Sequence, residues 1–549
     1  MLSAVRVQRQ AGSAAQIEAR SDARANAKVG SLVRAVVFAL ALCGPALVSA
    51  KDVVVPVEKD APVALAARDQ DGAKVRALLD ASPRPDVNAR TADGTSALHW
   101  AVYHGDVDLV NRLIAAGADV NARNDYGSTP LSEAAVIGNV QVIRKLLSAG
   151  ADVESPNGDG MTALMIIART SNVEAAKLLI GKRANVNAVE QWRGQTPLMW
   201  AAAEAQPAMV KLLVEHGANV NARSKVNTWE RQVTAEPRMQ ARPSGGFTPL
   251  LYAARKGCLQ CAEILLKAGA DKDLTDPDDV SPLLLATLNF NFDIAALLVQ
   301  KGANVNKWDT WGRSPIYAAV DMNTLPTGGR ADRPSLDKTT GLKLIAILLE
   351  AGANPNLQLK LFPPYRSLRD DRGADTLLSV GTTPLVRAAK ASDIEAMKLL
   401  IAHGANVDLP TAAGITPLMA ASGNGSVNLD TRGRYKTEAQ AIEAVELLVK
   451  SGANINARDR GGQTALHGAA SWGWNGLVKS LAANNVDLTA KDAQGRTAAD
   501  IARGAASSSG RAVSQPHPET EALLRQLMAG KGSSTASTAA PALPATVAQ

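Results

Sequence analysis

The 549-residue chain is 46% hydrophobic, 20% charged and 3% aromatic, with a formal net charge of +7 and a mean hydropathy of −0.05. So much apolar content at so low a charge density excludes a disordered chain, and the mean hydropathy excludes a bundle of membrane spans. Three cysteines are too few for a disulfide-built scaffold, and with few aromatic residues any core must be made mainly of Ala, Val, Leu and Ile.

The first element is a leader. Residues 35–50 form an apolar run of 16 residues behind Lys28 and Arg34. A membrane helix needs about 20, and Gly44 and Pro45 interrupt this one. A basic flank, a short apolar run, a breaker and small residues before Lys51 predict an export signal over 1–50, cut after Ala50. A bacterial protein that is periplasmic or extracellular is the expectation. Lipid anchoring through Cys43 is an alternative, disfavoured by Leu42 just before it. The 34 residues ahead of the apolar run are long for a basic flank, so initiation downstream and an organelle presequence are further alternatives. The leader carries six basic and two acidic residues, so the rest of the chain is left near +3. Most of the apparent attraction to nucleic acid goes with it.

After a linker at 51–61, the chain repeats itself. Thr-Pro-Leu openings and their variants start at Ser96, Thr129, Thr162, Thr196, Thr248, Ser281, Ser314, Thr383, Thr416, Thr464 and Thr497. Most steps are 33 or 34 residues, and three longer ones mark insertions at 222–245, 321–341, 357–380 and 422–440. With a degenerate unit at 62–93, about twelve repeats replace the three or four domains that length alone suggests.

In the unit from Gly127 to Glu154, Thr129 can cap a helix and Pro130 fits its first turn, where no N–H bond is needed. Ala134 and Ala135 let a neighbour approach, and Gly138 ends the helix at positive φ. Val142, Leu146 and Leu147 give a second helix its apolar face, and Gly150 ends that helix.

This pattern resembles the ankyrin repeat. Thr-Ala-Leu-His openings such as Ser96–His99 and Thr464–His467, and Gly-Ala-Asn/Asp endings such as Gly117–Asn121, Gly217–Asn221, Gly302–Asn306 and Gly404–Asp408, carry the likeness over roughly 60–530. The resemblance implies an all-α solenoid of stacked helix–turn–helix units with projecting hairpin loops, spanning 62–530. A final helix is expected over 518–529 and a disordered tail over 531–549. Two units depart at the second glycine: Asn485 tolerates left-handed backbone, whereas Arg183 predicts a distorted junction.

Catalytic signatures are missing. None of H-E-x-x-H, G-x-S-x-G, G-x-x-x-x-G-K-[ST] or a βαβ G-x-G-x-x-G occurs, and five of the six histidines fall at recurring repeat positions. Asp276, Asp278 and Asp279 lack calcium-loop spacing. Cys258 and Cys261 lack the following His of a haem site and the second pair of a zinc site, so a disulfide or structural thiol pair is expected, with a redox dithiol as alternative. No cofactor and no metal is expected.

Trp100, Trp200 and Tyr252 share one register, two residues after the Leu of the opening, which favours packing. Tyr126, Trp192, Trp308 and Trp311 instead fall in hairpin segments, where large rings make binding anchors. The basic residues near Trp229 in the first insertion read as a solvated loop. Together these features predict a monomeric, non-catalytic scaffold that binds a protein partner through its concave face and hairpin loops. It binds no nucleic acid and keeps no membrane span once the signal is removed. An enzyme with its site in the insertions, or a thiol-redox protein, is the alternative.

Overall fold

The computed structural model describes residues 61–227, 244–324, 337–361, 380–425, 436–504 and 515–535, with side chains as far as 530. Residues 1–60, which include the leader and Ala50, lie outside the described residues, as do Trp229, the middle of each insertion and the tail from 536.

Twenty-four helices occur among the described residues, in twelve sequential pairs. They begin with α1 (Pro62–Arg68) and α2 (Gly72–Asp80), α3 (Ala97–Tyr103) and α4 (Val107–Ala115), α5 (Pro130–Ile137) and α6 (Val140–Ser148). Next come α7 (Ala163–Ala168) and α8 (Val173–Gly181), α9 (Pro197–Ala203) and α10 (Pro207–Glu215), α11 (Pro249–Lys256) and α12 (Leu259–Lys267). The middle pairs are α13 (Pro282–Leu288) and α14 (Phe292–Gln300), α15 (Pro315–Asn323) and α16 (Gly341–Glu350), α17 (Pro384–Ala391) and α18 (Ile394–Ala402). The array closes with α19 (Pro417–Ala421) and α20 (Glu438–Lys450), α21 (Ala465–Ser471) and α22 (Asn475–Ala483), α23 (Ala498–Ala502) and α24 (Pro518–Thr535). The last helix runs beyond residue 529, since no proline interrupts the chain before Pro541.

Each pair forms for the same local reasons. The opening hydroxyl caps the first helix: Thr129 Oγ1 accepts from Ser132 N at 3.2 Å while Ser132 Oγ accepts from Thr129 N at 2.8 Å. Gly138 ends that helix at φ 76°, which lets the chain reverse into the second helix. There Val142, Ile143, Leu146 and Leu147 are buried. First helices stack on first helices and second on second, so one unbroken apolar core runs from Ala61 to Leu524.

A ladder of side chains locks the stack. Asn121 Nδ2 donates to Gly150 O at 3.2 Å, and its Oδ1 accepts from Asp152 N at 2.7 Å. Thus one amide satisfies an end-of-helix carbonyl and the next unit's backbone together. Where Asp stands, as at Asp273 and Asp408, only the accepting half remains, at 2.8 and 2.9 Å. The ladder also crosses the insertions: Asn221 reaches Gly269 and Asp271, and Asn306 reaches Gly352 and Asn354. Hairpin closure is preserved as well. Asn124 N donates to Ser128 O in an ordinary unit, Ser224 N to Phe247 O across the first insertion, and Leu359 N to Thr382 O across the third. The two-residue strands β1 (Val226–Asn227) and β2 (Ser244–Gly245) pair antiparallel just inside the first of these long hairpins.

Arg183 departs from expectation. It takes φ 67°, and the backbone bonds around it, Arg183 N to Ile180 O and Ala184 N to Leu179 O, repeat those around Gly150. The junction is undistorted. Two carbonyls satisfied by the turn offset a left-handed cost of about 1–2 kcal/mol.

Candidate protein-binding surface

Hairpin turns hold the predicted anchors. Tyr126 is 70% exposed and Trp192 is 64% exposed, each at a turn that the backbone closes beneath it. Under Trp192, the Glu190 carboxylate accepts from the backbone of Trp192, Arg193 and Gln195 at 2.6, 2.8 and 3.0 Å, which fixes the turn and leaves the indole outside. Trp308 is 39% exposed, and Lys360 Nζ stands 3.1 Å from its ring centroid. It lines a cleft of about 590 Å³ shared with Gln358, Lys360, Val380, Gly381 and Pro410.

Trp311 is a correction. It is 5% exposed and does not project. Lys360 N and Leu361 N donate to its carbonyl at 2.9 and 3.2 Å, bringing the following hairpin over it, and the Arg313 guanidinium stacks 5.1 Å from the ring centroid. Arg313 is held by Asp309 at 2.7 Å.

The first helices contribute residues that the sequence reading passed over. Tyr103 at the end of α3 is 60% exposed and Val136 near the end of α5 is 65% exposed, with Ile137 beside it. Tyr103 packs edge-on to Trp100, whose ring also stacks on His104. Both Tyr103 and Val136 lie seven residues after their openings, so a search of the repeat for large apolar residues at solvent positions could have found them. Trp100 and Trp200 are half-buried, while Tyr252 is buried. Their shared register therefore serves packing, although both indole Nε1 atoms are buried with no hydrogen-bond partner.

Chemistry-bearing groups elsewhere are used internally. His99 is buried, with Nδ1 2.8 Å from Ser96 Oγ and Nε2 3.0 Å from Ser128 O, and burial holds its pKa below the usual range. His467 repeats this with Thr464 and Arg496. Asp276 accepts from the backbone of Asp278 and Val280, and burial, with Asp278 beside it, pushes it up to about 6. Cys258 and Cys261 form a disulfide with Cα atoms 5.2 Å apart. Both are buried, and Cys258 Sγ accepts from Cys261 N as the cap of α12. Trp472 and Trp474 stack at 6.0 Å, and Trp472 Nε1 donates to Gly423 O at 3.1 Å. Gly423, at φ 93°, can have no side chain there, because a Cβ would overlap the indole. Among the described residues no group of three or more His, Cys, Asp or Glu is arranged to hold a metal ion. None of the described helices is long and apolar enough to cross a membrane.

Known proteins share this construction. A family model described as "Ankyrin repeats (3 copies)" matches residues 63–157, 131–224, 250–328 and 338–429. A second, "Ankyrin repeats (many copies)", matches 447–502. Inversin of Canis lupus familiaris is 30% identical over 173 residues, 32% of this chain and 13% of that protein. The B-cell lymphoma 3 protein homolog of Mus musculus is 29% identical over 223 residues, 38% of this chain and 48% of that protein. The chain therefore spans less than half of either relative. The crystal structure of the ankyrin repeat domain of Bcl-3 aligns with a TM-score of 0.35 at 28% identity, over 42% of this chain and 94% of that one. Family matches over more than half the length, on helix pairs whose caps, glycine ends and hairpins recur at one period, show that the chain belongs to the ankyrin-repeat family.

Proposed function

We propose that this protein is a non-catalytic array that binds a protein partner along its hairpin tips and the concave face formed by the ends of its first helices. The observation that carries the reading is the row of exposed large side chains at Tyr103, Tyr126, Val136 and Trp192, presented on successive units. A folded monomer gains nothing by leaving such rings in water, and a partner that covers them gains most of its affinity there. The backbone beneath each ring is already ordered, so binding loses little conformational entropy. The leader at 1–50 supports export, and the Cys258–Cys261 disulfide suits an oxidising compartment.

The test is capture of partners by the full chain from the extracytoplasmic fraction, followed by affinity measurement with a Tyr126→Ala/Trp192→Ala variant. Loss of two aromatic anchors is expected to weaken binding at least about 30-fold, corresponding to about 2 kcal/mol. Unchanged affinity in a variant of normal helix content would contradict the reading.

A further inference from the structure

In four units an arginine ties one hairpin to the next. Arg90, Arg123, Arg223 and Arg458, each two residues after its ladder amide, donate across to Arg123 O, Ser155 Oγ, Thr275 O and Lys491 O. Three consecutive units depart from this, because the same place holds Trp308, Gln358 and Pro410. Neither Trp308 nor Pro410 donates to a described neighbour, so the space that a guanidinium fills elsewhere stays open. It is the cleft of about 590 Å³ lined by Trp308, Lys360 and Pro410 among others. Its exposed apolar surface is large: Trp308 is 39% exposed and Val380 41%, with Leu361 next in sequence to Lys360 at 50%.

Two polar groups of the cleft are free, and solvent reaches both. Lys360 is exposed; its ammonium lies against the Trp308 ring and makes no ion pair with a described residue. No acidic residue lines the cleft. Gln358 is half-buried, and its Nε2 donates to Gly381 O at 2.8 Å and to Pro410 O at 3.0 Å. Only the NH2 end of an amide can face two carbonyls, so the orientation is settled and Oε1 is the end left over. Oε1 accepts from no described residue and, unlike the buried and unpaired Oε1 of Gln195, is not enclosed. The nearby carbonyls are taken, since Ala412 N also donates to Val380 O at 2.9 Å. Apolar walls, a free ammonium, one free acceptor and no acid suit an apolar side chain flanked by an N–H and a carboxylate.

We propose that this cleft seats an extended segment of the protein partner in which a large apolar residue is followed by an acidic one. The apolar side chain lies against the exposed part of Trp308, between Val380 and Pro410. Its main-chain N–H donates to Gln358 Oε1, and the carboxylate meets the Lys360 ammonium. Both recognising groups are held before the segment arrives, Lys360 by the indole and Gln358 by its two carbonyls, so little is left to order. The assignment rests on the reading that the hairpin tips bind protein, and it names the chemistry of one subsite. Single-stranded nucleic acid also stacks on indoles, but one lysine is a poor track for a phosphate backbone.

The probe is a short capped peptide alternating leucine with aspartate, added to full-length protein labelled with nitrogen-15 at tryptophan. Indole N–H signals are assigned by Trp308→Phe and Trp192→Phe. The expected result is a saturable shift of the Trp308 signal with the Trp192 signal unmoved. The analogue with asparagine for aspartate should bind about three- to fivefold more weakly. Lys360→Met, a change at an exposed residue, should erase that preference. Trp308→Arg, which restores the arginine of other units, should remove binding measured by calorimetry. An unmoved Trp308 signal overturns the assignment, as do equal shifts at Trp192 or a preference for aspartate that survives Lys360→Met. An oligothymidylate that shifts Trp308 at equal or lower concentration overturns it too. So does binding that appears only once residues 362–379 are replaced by a Gly/Ser link, because the chain would then fill its own cleft. If the peptide fails while Tyr126→Ala/Trp192→Ala still abolishes capture of the partner, the binding face stands and this subsite falls. If capture survives that double change, the broader reading falls and takes the assignment with it.

Discussion

The units up to α12 and those from α13 to α20 are built on one register yet present different surfaces at the ends of their first helices. Seven residues after the opening, the earlier units carry the exposed Tyr103, Val136, Arg169 and Arg255, with Ala203 half-buried. In the later ones the same place holds Asp321, half-buried, and Leu288, Lys390 and Gly423, all buried. Arg387, three residues before Lys390, is also buried and pairs with Asp321 at 2.6 Å. The cause is where the long segments enter. The second and fourth insertions open between the two helices of a pair, beside these helix ends, and the described residues on their return strands already cover them. Lys436 Nζ reaches the carbonyls of Ala420 and Ala421 at 3.2 and 2.8 Å, and Thr339 N donates to Asp293 at 2.9 Å. The first insertion opens at a hairpin tip instead, and Arg255, at the end of the next first helix, is exposed. Placement of an insertion within the unit decides whether the helix ends remain open to a partner or are closed by the chain itself.

The largest expected effect comes from the closed region. Arg387→Ala leaves the Asp321 carboxylate without its guanidinium, and breaking a buried pair costs about 3–5 kcal/mol. Arg144→Ala removes the exposed 3.0 Å bond to Glu174 and should cost no more than about 1 kcal/mol. Urea unfolding, with hydrogen exchange in α15 and α17 to localise the change, checks the contrast. Equal losses would mean that the later units are as open as the earlier ones.

A second contrast is one of pH. Burial, with Lys390 nearby, lowers the Lys436 pKa from 10.5 to about 7. Between those values the unfolded chain binds the extra proton, so this group makes stability rise with pH and gives its full penalty below about 7. Lys436→Met should therefore raise the melting temperature more at pH 6 than at pH 10. A gain independent of pH would show that Nζ is solvated and the region open.

The smallest effect concerns a junction within the open region. Arg183→Gly should gain about 1 kcal/mol or less, because glycine relieves the left-handed backbone but is itself more disordered when unfolded. A loss measured by thermal unfolding would place a contribution in the arginine side chain that the backbone geometry does not contain.

Caps and helix ends were legible in the sequence because each is a local requirement repeated at one period: Thr129 and Gly138 say what they do within a few residues of themselves, whereas the ladder bonds of Asn121 reach Gly150 and Asp152 in the next unit. Arg183 was misleading because propensity weighs a single residue, while two backbone bonds from the helix before it decide its conformation. Trp311 was illegible for a different reason. Its cover comes from Lys360 and Leu361, across an intervening helix pair, and nothing local distinguishes it from the exposed Trp192. The same holds for the pair of Asp321 with Arg387, which forms between units separated by two insertions. Trp192 was legible as a projecting ring, but the unsatisfied Gln195 and Trp200 beneath it emerge only when three consecutive units are stacked.

The division into open and covered surfaces is tested most directly by hydroxyl-radical footprinting of the full chain, read residue by residue by mass spectrometry. The account predicts rapid oxidation of Tyr103, Tyr126 and Trp192 and slow oxidation of Trp311, Trp472 and Trp474. Comparable rates in the two sets, or faster oxidation of the second, would contradict it.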